Sequence, residues 1–163
     1  MNIRRALVRD AQALISLERA LAEAKLGMVT APHQVRTLEK EQERLEQLPE
    51  GSLCIVGDID GRIAGVADLK NLTPVRCNHV GVLSVGVHPD FQRRGVGRAL
   101  MEHLIAHARE RGLVRLELYV RSDNDRAQSL YRSLGFAHEG TRVKFVRLDD
   151  GTYIDDFIFS MFL

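Results

Sequence analysis

The sequence predicts a mixed α/β fold, an α+β arrangement in which a central, mostly antiparallel twisted sheet carries helices on both faces. Three observations predict it. Apolar residues switch between helical and strand spacing in the order β-α-α-β-β-β-α-β-α-β-β. Asp60–Gly61 and Asp150–Gly151 each stand between two alternating segments, as hairpin turns do. His79–Val87 is almost free of polar residues, the look of a central strand covered on both sides. No repeat or linker divides the 163 residues, so the chain reads as one domain over 1–163.

In order, Ile3–Val8 reads as a first strand, and Leu14, Leu17, Leu21 and Ala24 mark a helix over Ala13–Ala24. Beyond Thr30–Pro32, the residues Val35, Leu38, Gln42, Leu45 and Leu48 trace a second helix, whose charged run Glu39–Glu46 reads as a solvated face. Ser52–Asp58 and Arg62–Leu69 form the first hairpin. Val96, Leu100, Leu104 and Ala108 share a face of a helix over Val96–Arg111, closed by Gly112. Val114, Leu116, Leu118 and Val120 alternate with polar residues as a half-buried strand. Ser122–Asp125 caps a helix that ends at Gly135, and Thr141–Leu148 and Thr152–Leu163 form the last hairpin.

Composition excludes several functions. Lys plus Arg exceed Asp plus Glu by one (23 against 22), too balanced for a general nucleic-acid coat. No run approaches the roughly 18 uncharged apolar residues of a membrane helix, and arginines interrupt the N-terminus, so no secretion signal is expected. Cys54 and Cys77 have no zinc spacing and cannot build a disulfide framework, which points to free thiols in the cytoplasm and no metal. His103 and His107 have the i, i+4 spacing of paired metal ligands, but without a third ligand they read as the polar edge of a packed helix.

The chemistry concentrates between Val85 and Leu100. A buried strand ends at His88–Pro89, a loop carries Gln92, Arg93 and Arg94 into Gly95, and a helix begins at once. Helix starts leave amides unpaired and partly positive, so they attract phosphate. Gly95 and Gly97 remove Cβ atoms from that approach, and Arg93, Arg94 and Arg98 supply charge. No Gly-Lys-Ser/Thr succeeds them for a Walker loop, and Leu100 stands where a dinucleotide fingerprint needs its third glycine. A tight turn with solubilising arginines is the plain alternative.

Gln92-Arg93-Arg94-Gly95-Val96-Gly97 resembles the Gln/Arg-x-x-Gly-x-Gly/Ala signature of the GCN5-related N-acetyltransferases (GNAT). Asn124, Ala127, Tyr131 and Leu134-Gly135-Phe136 resemble that family's second block. The resemblance implies an acyl-CoA N-acyltransferase fold with an acetyl-CoA site. The backbone of Val85 and Val87 would bind the pantetheine arm, and Gln92, Arg93, Arg94, Gly95, Val96, Gly97 and Arg98 the pyrophosphate. Gly86 would either make a bulge that splays the strands or fit a tight packing contact. Asn124 would cap its helix, contact the cosubstrate or an ordered water, or do both. Tyr131 would protonate the leaving thiolate, unless it is simply a core aromatic.

The base is not fixed by the resemblance. Relatives often carry a Glu four residues before the position of Val87, where this chain has Leu83. His79, Glu117 and a water chain are the candidates, with His79 also readable as a structural group. The first reading of function is acetyl transfer from acetyl-CoA to the primary amine of a small molecule such as an amino acid or polyamine. An acidic rim of Glu139, Asp149, Asp150, Asp155 and Asp156 would favour that cationic acceptor, unless these are turn and solvated strand positions. The alternatives are a peptide acceptor, namely a ribosomal-protein-like N-terminus, and a silent acyl-CoA sensor. Phe157, Phe159 and Met161 fit a homodimer interface or the core equally well.

Overall fold

The computed structural model describes residues 1–24 and 30–163. Among these residues, seven strands form one sheet in the order β1-β2-β3-β4-β5-β7-β6. They are β1 (Asn2–Arg5), β2 (Leu53–Ile59), β3 (Arg62–Asn71), β4 (Val80–Val87), β5 (Arg115–Arg121), β6 (Ala137–Arg147) and β7 (Tyr153–Phe162). Every pairing is antiparallel except β4 with β5. The helices are α1 (Ala11–Glu23), α2 (Leu38–Glu46), α3 (Val96–Glu110) and α4 (Asp125–Ser133). The element order is the one the hydrophobic pattern predicts, with both glycine turns in place.

Glycines show which helices take which face. A Cβ on Gly65 would meet Leu100 and Val96 of α3, and one on Gly97 would meet Val87 and Leu130. A Cβ on Gly86, one residue along β4 and so on the opposite face, would meet Leu21 of α1. Thus α3 and α4 cover one face and α1 the other, with α2 packed beside α1. The main core lies under α3, where Leu100, Met101, Leu104, Leu116, Leu118 and Phe159 are sealed from solvent.

Several boundaries move for identifiable reasons. The first strand stops at Arg5 because the Asp10 carboxylate accepts from the Leu7 amide (2.8 Å) and grips Arg4 with both oxygens (2.7 and 2.9 Å), turning the chain early. Arg4 and Leu7 together hold the Asp10 carboxyl below its usual range. The second helix begins at Leu38 because Pro32–Gln34 forms a separate 3₁₀ turn and Thr37 caps the helix proper. β6 starts at Ala137 and tolerates irregularities at His138/Gly140 and Arg142/Val146, which hid the strand from a periodicity argument.

The charged run on α2 is not uniformly solvated. Glu41 is buried and accepts from Nε and Nη2 of Arg44 (3.0 and 2.6 Å), while Nη1 of Arg44 reaches Asp68 on β3 (2.9 Å). Phe159 and Met161 lie in the core, so they do not face an interface, and Phe157 packs against that core. Among the described residues, no helix is long and apolar enough to cross a membrane.

Candidate functional site

The two central strands part company halfway along. β4 pairs with β5 from Val80↔Arg115 to Leu83↔Leu118 and no further. β4 nevertheless stays zipped to β3 through Val87↔Gly65, and β5 to β7 through Arg121↔Asp156. The result is a V-shaped notch whose walls are strand edges. The His88 amide bonds Ala64 on the β3 side (2.9 Å), so by the two-residue alternation Val85 and Val87 turn their N–H and C=O toward the notch.

No bulge opens it. The β3–β4 register runs unbroken through Gly86, against the expected bulge. Gly86 is instead a packing glycine, since its missing Cβ would stand 2.7 Å from Cδ1 of Leu21. Replacing Gly86 with Ala pushes Leu21 aside, and Leu21 lines the notch. The expected result is a loss of about 1–2 kcal/mol in urea unfolding, in the range of overpacked cores, with weaker coenzyme binding.

The notch widens into a cleft of about 710 Å³ bounded by β4, β5, the loop before α3, and α4. Gly95 opens α3 with φ +78°, a left-handed turn that suits glycine, and Arg93 before it also has positive φ (60°). A Cβ on Gly97 would make only ordinary contacts, 3.4 Å from Val87 and 3.6 Å from Leu130, so packing alone does not demand glycine there. Gln92 and Arg93, with Gly95, Val96, Gly97 and Arg98, line the cleft. Arg94 does not; its guanidinium lies over the Phe91 ring, 5.5 Å from the centroid. Arg126, the second residue of α4, lines the cleft instead and bonds Gln92.

Five arginines line the cleft against two aspartates. Arg121 pairs with Asp123 (2.6 Å) and Arg142 with Asp156, which leaves Arg93, Arg98 and Arg126 without a cleft acid. That balance suits a polyphosphate. The expected acidic rim is absent, because Glu139 is held by Arg115 and Asp155 accepts from the Lys144 amide (2.7 Å). Asp150 accepts from Thr152 in its turn, and Asp156 alone of the five lines the cleft.

Tyr131 is 6% exposed, packs edge-on to Phe136 and tilted against Phe159, and lines the cleft. It is therefore a core ring with a cleft-facing end. Burial pushes its phenol up to about 12, so it stays protonated at any physiological pH. Asn124 also lines the cleft and caps α4, accepting from the Ala127 amide (3.1 Å).

One expected participant is elsewhere. His79 is exposed just before the far end of β4, and its carbonyl accepts from the Val114 and Arg115 amides. It lies a strand's length from Val87 and does not line the cleft. Leu83 points into the core under α3 at 3% exposure. Burial also pushes the Cys54 thiol up to about 12, which makes it a poor nucleophile outside the cleft. No group of three or more potential ligands is placed to hold a metal among the described residues.

Sequence reasoning missed Tyr119, Arg142 and Phe145, which form the other end of the cleft. Arg142 is sandwiched between the rings of Tyr119 (4.2 Å) and Phe145 (3.7 Å) and anchored by buried Asp156. Tyr119 sits on the outward alternation of β5, a position that reads as solvent unless the missing ladder beside it is known.

Residues 16–136 match the sequence profile of the acetyltransferase (GNAT) family. The chain is 39% identical over 92 residues to the [ribosomal protein bS18]-alanine N-acetyltransferase of Escherichia coli K12, covering 56% of this chain and 60% of that protein. It is 41% identical over 88 residues to the N-alpha-acetyltransferase RimI of Mycobacterium tuberculosis, covering 54% of each. These alignments span less than two-thirds of the curated relatives. A solved ribosomal-protein-alanine N-acetyltransferase from Brucella melitensis superposes with a TM-score of 0.90 at 27% identity over the full length of both chains.

Proposed function

Because this chain belongs to the acetyltransferase (GNAT) family, we propose that it transfers an acetyl group from acetyl-CoA to the N-terminal amine of a protein, with a ribosomal protein as the leading acceptor class. The parting of β4 and β5 beyond Leu83 and Leu118 carries the acyl-CoA part of this reading. A pantetheine arm is a chain of amides, and the turned-out backbone of Val85 and Val87 offers it the partners a neighbouring strand would have used. The loop Gln92–Arg98 with Arg126 would hold the pyrophosphate, Tyr131 would face the departing sulfur, and the acetyl group would pass directly to nitrogen.

Two observations favour a protein N-terminus over a small cationic amine. The named relatives are a ribosomal protein bS18 alanine N-acetyltransferase and an N-alpha-acetyltransferase. Among the described residues, the cleft lacks the free acidic groups a polyamine would seek. Chemistry agrees. A lysine-like amine with pKa about 10.4 is roughly one part in 10³ neutral at pH 7, whereas an α-amine near pKa 7.8 is about one part in ten. An acceptor that arrives largely ready to react tolerates apolar Leu83 where relatives place a carboxylate.

The test is release of free CoA thiol with acetyl-CoA and a panel of alanine-starting peptides, free amino acids and polyamines, with products identified by mass spectrometry. The expected result is N-terminal acetylation with kcat/KM at least about tenfold above every small amine, the smallest difference a specific contact would make. Preference for a polyamine would return the small-molecule reading. Binding of acetyl-CoA without turnover on any acceptor would support the silent sensor.

A further inference from the structure

We propose that Tyr119 and Glu117 act as a two-residue proton relay that takes the proton from the attacking amine. The inference rests on the acetyl-transfer reading and supplies the base that Leu83 and His79 do not. Tyr119 is the first β5 residue beyond the last rung with β4, so it stands at the apex of the notch. Its hydroxyl donates to Oε1 of Glu117, while Arg115 holds Oε2 at 3.1 Å. Leu118 and Val120 face the core with Tyr131, so Tyr119 and Tyr131 approach the notch from opposite faces of the sheet. Nucleophile and leaving group are separate substituents of the tetrahedral carbon, so each can meet its own proton partner.

In the step, the amine nitrogen bonds the thioester carbon and the carbon–sulfur bond breaks. One proton on nitrogen passes to the phenol oxygen of Tyr119 as the phenol proton passes to Glu117. The sulfur takes a proton from Tyr131. Glu117 then releases its proton to solvent and Tyr131 regains one, leaving amide and free thiol. Arg142, 4.2 Å over the Tyr119 ring, stabilises the negative charge that grows on the phenol oxygen in transit. Glu117 is a positioning and relay group acting through Tyr119, and its side chain is 18% exposed, enough to hand a proton on.

The charged groups facing the pair are Arg115 and Arg121 on β5, Glu139 and Arg142 on β6, and Asp156 on β7. Of the causes acting on Tyr119, the bond to Glu117 is the largest and raises its phenol above the usual tyrosine value.

The experiment compares wild type with Tyr119→Phe, Glu117→Gln and the double variant. The acceptor is the best peptide of the panel, acetyl-CoA binding is measured by calorimetry, and Tyr119 is titrated by the NMR shift of its ring Cζ. Each single variant should lose about 10²-fold in kcat, the low end for a general base, with unchanged coenzyme affinity. The double should be no worse than either single, because both remove one relay. Glu117→Gln should also bring the Tyr119 titration down toward that of a free tyrosine, a signature independent of any acceptor. Full activity in Glu117→Gln, multiplicative losses in the double, or an unmoved Tyr119 titration would each overturn the relay. Loss of coenzyme binding by wild type would instead overturn the acetyl-transfer reading.

Discussion

Replacing Tyr131 with Phe lowers kcat by about 10²-fold and leaves the Kd for acetyl-CoA within twofold, as stopped-assay kinetics and calorimetry should show. The substitution removes one oxygen from a ring packed on Phe136 and Phe159, so the core keeps its shape. The hydroxyl it removes is the cleft-facing end of a side chain with no hydrogen-bond partner among the described residues. A thiolate of pKa near 8.5 is a weaker base than this phenol's conjugate, raised to about 12. On the proposed reading the phenol would therefore serve by donating a hydrogen bond as charge builds on sulfur, and would give up its proton late. An acid whose folded pKa is raised remains competent through neutral pH, so kcat/KM of the free enzyme shows no descending limb from Tyr131 below about pH 10. Turnover in Tyr131→Phe equal to wild type would leave the thiolate to solvent.

Reversing charge at Arg93 and Arg126 together weakens acetyl-CoA binding by at least about 10²-fold at low salt, and by less at high salt. Each charge-assisted contact to phosphate contributes roughly 1.5–3 kcal/mol, and the surviving Coulomb attraction is screened within about 10 Å at 0.1 M. Arg94→Glu is the internal control. Its guanidinium lies over Phe91 outside the cleft, so its loss should cost far less. Calorimetry of the three proteins decides the matter, and equal affinities across them would remove the phosphate cradle.

The contrast between Arg94 and Arg126 shows how far the sequence could be read. Hydrophobic period and glycine turns placed the helices and strands in order, because burial of an apolar face is what decides local structure in a chain of this composition. They did not place the start of β6 or the 3₁₀ turn before α2. The loop Gln92–Gly97 was legible too, since its residue types are those of a strand ending at a helix start. What stayed hidden depends on neighbours far apart in the chain. Arg126 enters the cleft because α4 lies beside α3, as the contact of Leu130 with Gly97 shows. Gly86 looked like a bulge because a strand pattern cannot reveal a helix pressing on it. Glu117 was a candidate base by type, but its partnership with Tyr119 becomes visible only once alternation and the end of the β4–β5 ladder are seen together. The charges of the last hairpin misled for the same reason, because Arg115 and Arg142 arrive from outside the segment or across it to neutralise Glu139 and Asp156.

Glu41, Arg44 and Asp68 carry one more consequence. Oily surfaces let a helix roll, since a sliding contact loses little area, whereas a forked guanidinium clasped by two carboxylates fixes both azimuth and height. α2 is thus bolted to β3, and its partner α1, whose Leu21 edges the cleft, inherits that setting. Whatever rocks as acceptors come and go, this corner should behave as the stator.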